Sequence, residues 1–289
     1  MITVKLAGGL GNQMFQYAIG RHISIKYNTK LSLDLSFLLN RGYGDKFVYR
    51  DYYLDIFNVT ADKIVEKLPW YKTINNKFAE RFRINFPGIR VESHFQSDAR
   101  NLECGPDCYL SGYWQSPKYF SEIAETIRKD FVFVKSVKPS SRGLMDRIKN
   151  TNAVCLNVRR SDYVGNSLHD VCDLKYYHSA LDLLSEKVGE RTVFVFSDDI
   201  EWCEKNLKIP GEHLYVGHEH AHTTDFKNFD AYIYMMTHCK HYIIPNSTFA
   251  WWAVWLNNTD DKVVIAPSRW FNDENIDAEE LYDPAWIRL

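Results

Sequence analysis

From residue 153 onward the sequence alternates short, nearly continuous apolar runs with segments of helical period. That pattern constrains the fold more than any other feature of the chain. The runs at 153–158, 192–196, 214–216, 242–244 and 262–266 read as strands, and only Asn157 interrupts the first of them. Between them, 174–188, 200–207, 226–239 and 248–256 carry apolar residues at helical spacing. Strands without a polar face must be covered on both sides, so the alternation predicts a parallel sheet with crossover helices. The chain opens in the same way. A strand at 2–6 runs into Gly8-Gly9-Leu10-Gly11, and Met14, Phe15, Ala18, Ile19 and Ile23 mark a helix over 12–26, followed by a strand at 31–35. The stretch 42–140 is rich in Tyr, Phe and Arg and yields only a strand at 109–112 and a helix at 119–129. Pro139 and the serines around it make 135–141 the linker.

The expected architecture is therefore α/β, with two Rossmann-like domains, 1–140 and 141–289, facing a cleft. The 289 residues suffice for two cores of moderate size. A formal net charge of −2 excludes a global field for nucleic acid or acidic lipid, so any bound anion must be held by a local constellation. Cys104, Cys108, Cys155, Cys172, Cys203 and Cys239 form no C-x-x-C pair and read as reduced, mostly buried thiols of a cytoplasmic protein. The first residues lack the pattern of a signal peptide, and no stretch approaches the ~20 apolar residues of a membrane span. Peripheral contact with the inner face of a membrane stays compatible with this pattern.

In open α/β sheets, ligands sit outside the carboxyl ends of the strands, and the polar motifs fall there. Arg159-Arg160-Ser161-Asp162 follows the strand 153–158. A guanidinium offers a planar fork that can hold phosphate oxygens and absorb charge on a departing diphosphate. An Arg–Asp162 ion pair is the plain alternative, and both can hold at once. Asn246-Ser247-Thr248-Phe249 opens a helix after the strand 242–244, where a cap and an anion site can coexist. Ser197-Asp198-Asp199 ends another strand: a carboxylate there suits a ribose or a base, and Asp199 equally suits a helix cap. The glycine turn with Asn12 and Gln13 has neither dinucleotide-binding nor P-loop spacing. No Asp-x-Asp occurs in the chain. The tract His218-x-His220-x-His222 reads as solvated loop rather than ligand set.

Taken in order, these strings resemble one family. Gly8-Gly9-Leu10-Gly11-Asn12-Gln13-Met14-Phe15-Gln16-Tyr17-Ala18 is similar to the N-terminal signature of the galactoside α-1,2-fucosyltransferases. Val158-Arg159-Arg160-Ser161-Asp162-Tyr163 resembles their H-x-R-R-x-D element, and Val195–Asp199 and Asn246–Trp252 resemble two further blocks. The resemblance implies a GT-B-like fold, GDP-β-L-fucose as donor, a terminal galactose as acceptor, inversion at the anomeric carbon, no cofactor and no metal. It further implies a donor held mainly by the second domain, with the acceptor on the first. Donor contacts implied are Gly11, Asn12, Gln13, Asn157, Arg159, Asp198, Asn246, Ser247, Thr248 and Phe249. Position 157 departs from the family pattern, being Asn where the element has His, so no base can act there.

The expected catalytic set is Arg159, Arg160, Asp162 and His169, with Asp162 and His169 as alternative bases and Asp170 a third candidate. Tyr113, Trp114 and Gln115 are the expected acceptor contacts, through aromatic faces. Synthesis of a cell-surface glycan or O-antigen is the implied setting. Two rival readings are a fucosyltransferase acting on protein or another glycan, which would label protein and not lactose, and an inactive nucleotide-binding module, which would bind GDP without turnover.

Overall fold

The computed structural model describes all residues except 45–46, 65–77, 79–80, 83–87, 136 and 218–228. The chain divides into two compact units: Met1–Val134 with Ile276–Leu281, and Lys135–Asn275 with Tyr282–Leu289. The expected linker 135–141 thus opens the second unit, where Pro139–Ser141 forms a short 3-10 turn.

The first unit is built on a parallel sheet of β1 (Ile2–Lys5), β2 (Leu31–Asp34), β3 (Asp62–Ile64), β4 (Ile89–Val91) and β5 (Cys108–Ser111), in the order β3-β2-β1-β5-β4. β3 and β4 have three residues each, too short for any period to show, which is why 42–140 resisted reading. The helix Leu10–Lys26 begins two residues before the expected start, because Gly9 is its N-cap. The expected helix at 119–129 is two 3-10 turns, Pro117–Tyr119 and Ser121–Ile123, leading into a helix Ala124–Asp130.

The segment Ile276–Leu281 belongs to this first unit through a carboxylate. Glu280 accepts hydrogen bonds from the Ser97 amide, the Ser97 hydroxyl and Lys118 Nζ, each at 2.9 Å. Burial works to raise its pKa, but hydrogen bonds from Ser116, Lys118 and Ser97 outweigh this and hold it at about 2.

The second unit carries the predicted parallel sheet. Its strands are β6 (Ala153–Val158), β7 (Thr192–Ser197), β8 (Glu212–Tyr215), β9 (His241–Ile243), β10 (Val264–Ala266) and β11 (Ile287–Arg288), in the order β11-β10-β9-β6-β7-β8. Every pairing is parallel. Val154, Leu156 and Val158 of β6 and Val193 and Val195 of β7 face one way. They pack on Tyr176, Tyr177, Ala180, Leu181 and Leu184 of the helix Leu174–Val188, as period-2 strands under an amphipathic helix must. β11, only two residues long, carries no sequence signal. The expected helix at 226–239 is described as Phe229–Met236, and its first three positions lie outside the described residues. The tract 218–222 lies outside them as well.

All six cysteines are free, and all but Cys172 are buried. Among the described residues, no helix is long and apolar enough to cross a membrane.

Gly20 sets how closely the helix Leu10–Lys26 can approach its sheet. A Cβ there would lie 2.4 Å from Val4 Cγ2 and 2.8 Å from Leu31 Cδ1, both in buried side chains. Gly20→Ala is expected to cost about 1–3 kcal/mol by overpacking, lowering Tm by several degrees in a thermal melt.

Candidate active site

Three adjacent strands of the second unit deliver the site. β6 pairs with β7 so that Val158 faces Ser197, and with β9 so that Leu156 faces Ile243. Continuing both registers past the strand ends puts Arg159 level with Asp198 on one side and with Asn246 on the other. The three polar motifs, distant in sequence, thus become neighbours at one sheet edge.

Asp198 organises that edge. Its Oδ1 accepts from the Arg160 amide at 2.9 Å and its Oδ2 from the Ser161 amide at 3.1 Å, so one carboxylate turns the chain where it leaves β6. The same Oδ2 lies 3.0 Å from Arg159 Nη1, while Arg159 Nη2 donates to Asp162 Oδ1 at 2.5 Å. Burial works against the Arg159 charge, but Asp198 and then Asp162 more than offset it and hold the guanidinium above its ordinary range. Arg160 turns elsewhere. Its Nε donates to Asp199 Oδ2 at 3.0 Å and its guanidinium lies 3.7 Å from the centre of the Trp202 ring. Asp199 also caps the helix Ile200–Asn206 by accepting from the Trp202 amide, so the cap and the ion pair coexist.

Of the two expected readings of the arginine pair, the ion pair is present: both guanidiniums are matched to carboxylates. Two arginines meet three carboxylates here (Asp162, Asp198 and Asp199), a local sum of 2 − 3 = −1.

The loop after the arginines folds over them. Tyr163 lies 5.6 Å from the Arg159 guanidinium, stacks on His169 at 5.1 Å and 26°, and donates from its hydroxyl to the Asn246 carbonyl at 3.2 Å. His169 packs against Phe271 on its other side, and its Nδ1 is buried with no hydrogen-bond partner among the described residues. Burial lowers the pKa of His169, and the neighbouring Asp162 only partly offsets this, so the ring is neutral at neutral pH. Asp170 accepts from the Gly165 amide at 2.8 Å, closing the loop on itself.

Several expected contacts turn out to be internal. Asn246 is 1% exposed and donates to the His169 and Trp270 carbonyls, tying two loops to the start of the helix Thr248–Leu256. Asn157 is buried and donates to the Phe196 carbonyl at 3.1 Å. Ser247 occupies the N-cap but makes no side-chain cap hydrogen bond, and Thr248 and Phe249 are partly exposed in the first turn.

The first unit places its motifs at the equivalent edge. Gly8 has φ +77°, and a Cβ there would lie 2.3 Å from Asn12 Nδ2, so the turn requires glycine. Gly11 is buried, whereas Asn12 is partly exposed and accepts from Gln115 Nε2 at 2.9 Å. Gln13 is fully buried and committed to the Gly8 and Asp51 carbonyls and the Tyr53 amide. The expectation that Trp114 offers a stacking face is corrected: it is 0% exposed, packed edge-on against Tyr119 with φ +57°. Tyr113 beside it is 45% exposed. Glu92 imposes that turn by accepting from the amides of both Tyr113 and Trp114, at 2.7 and 2.8 Å.

Glu92, Tyr163 and Trp202 are the residues that sequence reasoning missed. Tyr163 follows the Arg-Arg-Ser-Asp string directly and Trp202 stands in the first turn that Asp199 caps, so both positions carried a signal. Glu92 carried none.

The family model for Glycosyl transferase family 11 matches residues 1–289. The chain belongs to that family. An α-1,2-colitosyltransferase from Escherichia coli is 33% identical, across 100% of this chain and 99% of that protein. The O-antigen biosynthesis glycosyltransferase WbnK, also from Escherichia coli, is 28% identical across 98% and 99%. A galactoside 2-α-L-fucosyltransferase from Caenorhabditis elegans is 24% identical across 100% of this chain and 79% of its own length. The family 11 chain is thus a glycosyltransferase, and the sheet edge of its second unit is where its polar motifs assemble.

Burial lowers the pKa of His238 and His241 as it does that of His169. An unfolded histidine titrates near 6.5, so below about that pH the unfolded chain binds protons that the folded chain refuses. Stability should therefore rise with pH through this window and fall as the solution is acidified from about pH 7 to 5.5. Thermal melts at the two values check the sign, and replacing His238 and His241 together by Gln should flatten the slope.

Proposed function

We propose that this glycosyltransferase moves L-fucose from GDP-β-L-fucose to the 2-hydroxyl of a terminal galactose with inversion, in the synthesis of a cell-surface glycan or O-antigen. The setting fitting that role is the cytoplasm, at the inner face of the membrane. The observation that carries the reading is Arg159, held by Asp198 at the ends of three adjacent strands, beside the first turn of the helix Thr248–Leu256. A partly buried, permanently charged fork next to a helix start suits a diphosphate whose charge grows as the glycosidic bond breaks.

The paired carboxylates suggest how the site works. As the donor arrives, its β-phosphate replaces Asp162 on Arg159 Nη2, while Asp198 keeps its hold on Nη1. Asp162, displaced from Nη2, takes the acceptor proton as the 2-hydroxyl attacks opposite the departing GDP. His169, neutral and held between Tyr163 and Phe271, is the alternative base. Arg160 acts as a positioning residue, since its guanidinium is committed to Asp199 and Trp202. With no Asp-x-Asp in the sequence to hold a divalent cation, the counter-charge for leaving GDP is assigned to Arg159 and the helix start, and transfer needs no metal.

The identity to a colitosyltransferase favours a second donor reading, GDP-colitose, whose sugar is L-fucose without its 3-hydroxyl. Parallel assays with the two donors and lactose decide between them: preference for GDP-colitose would move the assignment, and transfer from neither would overturn it.

Arg159→Lys should fold normally yet lose at least about a hundredfold in transfer, because an ammonium cannot serve Asp198 and a phosphate with one planar fork. Steady-state rates beside a melting curve test this, and near-normal turnover would refute the leaving-group role. Transfer measured in excess chelator should be unchanged.

A further inference from the structure

The first unit carries an exposed aromatic cluster that none of the roles above uses. It follows β2 and comprises Phe37, Tyr43, Phe47 and Tyr49. Adjacent ring centres lie 4.9 Å apart for Tyr43–Phe47, 5.1 Å for Phe47–Tyr49 and 5.4 Å for Phe37–Tyr43. Tyr43 is 48% exposed and Phe47 38% exposed.

The cluster is held in place. The Tyr49 hydroxyl donates to the Arg41 carbonyl at 2.8 Å and accepts from the Tyr43 amide at 2.9 Å. Arg41 pairs with Asp51, and the Asp51 carbonyl is in turn gripped by the buried Gln13 amide at 2.8 Å. Gln13 stands in the first turn of the helix that the glycine turn opens. The aromatic loop is thus pinned, through Gln13, to the Gly8–Gly11 turn.

Topology gives the cluster its meaning. The order β2-β1-β5 places the glycine turn, at the carboxyl end of β1, between the loop after β2 and the loop after β5. The first loop presents Tyr43 and Phe47 and the second presents Tyr113. Two strand spacings, roughly 10 Å, separate the flanking loops, more than a single hexose ring covers.

We propose that Tyr43 and Phe47 form a second sugar subsite, so that the acceptor is a glycan of at least two rings lying across the glycine turn, one ring against Tyr113 and the next against Tyr43 and Phe47. The apolar C–H faces of pyranoses stack on exposed aromatic rings, and the phenol hydroxyls supply hydrogen bonds at the rim. A membrane surface fits less well. Lys5 lies over Phe37 at 5.2 Å and Arg41 over Tyr49 at 5.2 Å while also paired with Asp51, so these cations are turned to the protein rather than to anionic lipid.

The inference rests on the galactoside reading above, and two measurements separate them. In the first, lactose and a galactose-terminated trisaccharide are titrated by saturation-transfer NMR against the full chain, without donor. With methyl galactoside titrated alongside as the one-ring reference, wild type should bind the trisaccharide about tenfold more tightly than methyl galactoside, and Phe47→Leu, which stays apolar and loses the flat face, should remove most of that gain. In the second, transfer kinetics should show KM for the trisaccharide raised about tenfold in Phe47→Leu and Tyr43→Leu, with kcat, GDP affinity and Tm unchanged. Equal binding by wild type and variants would overturn the subsite. So would aromatic-dependent binding to phosphatidylcholine–phosphatidylglycerol vesicles without glycan binding. Aromatic-dependent glycan binding without transfer from GDP-fucose would leave the subsite standing and overturn only the donor reading.

Discussion

The grip of Asp198 on the chain leaving β6 is the contact on which the second unit's site depends. One carboxylate accepts from two successive amides and from the guanidinium just before them. It therefore fixes both the direction of the turn and the place of the charge. Such charge-assisted hydrogen bonds are shorter and stronger than neutral ones, and here burial strengthens them further. Arg159 is fixed in consequence: its Nη1 is anchored by Asp198, and its charge is secured by Asp198 and Asp162 together.

Around that point the site is assembled by parallel registry. β9, β6 and β7 are adjacent in space though 241–243, 153–158 and 192–197 are far apart in sequence. Parallel strands end together on one side, so their following loops converge without any long reach. Asn246 then joins the loop after β9 to the loop after β6 through the His169 carbonyl, and the Tyr163 hydroxyl returns the connection. The result is a rigid edge with partly exposed groups, Arg159, Asp162, Thr248 and Phe249, standing on buried ones.

Much of this was legible in the sequence, and what was not has physical causes. The second sheet was readable because β6 and β7 have six residues each and are covered on both faces, giving apolar runs that no loop mimics. The first was readable only at β1, β2 and β5, since three-residue β3 and β4 show no period. Motif strings picked out loops that the fold brings together at one end of the second sheet, but could not separate outward from inward side chains. Gln13, Asn157 and Asn246 looked like ligand contacts, yet the side-chain amide nitrogen of each donates to backbone carbonyls. A polar residue within such a string gives no clue to the direction its side chain takes. Trp114 misled for a related reason: an aromatic at a strand end suits a sugar or a core equally, and its left-handed φ decides only in three dimensions.

The anchoring of Glu280 bears on how such a chain can be made. A boundary at 134/135 invites the picture of a first domain that folds during synthesis while the second is still being translated. Yet Ser97 and Lys118 wait for a carboxylate more than 160 positions downstream. The first unit cannot be completed until residue 280 has left the ribosome, so until then the Lys118 ammonium and the Ser97 hydroxyl and amide lack the carboxylate that joins them. Neither unit can be excised by a single cut, and a chimera exchanging the halves must carry 276–281 with the part it does not adjoin in sequence.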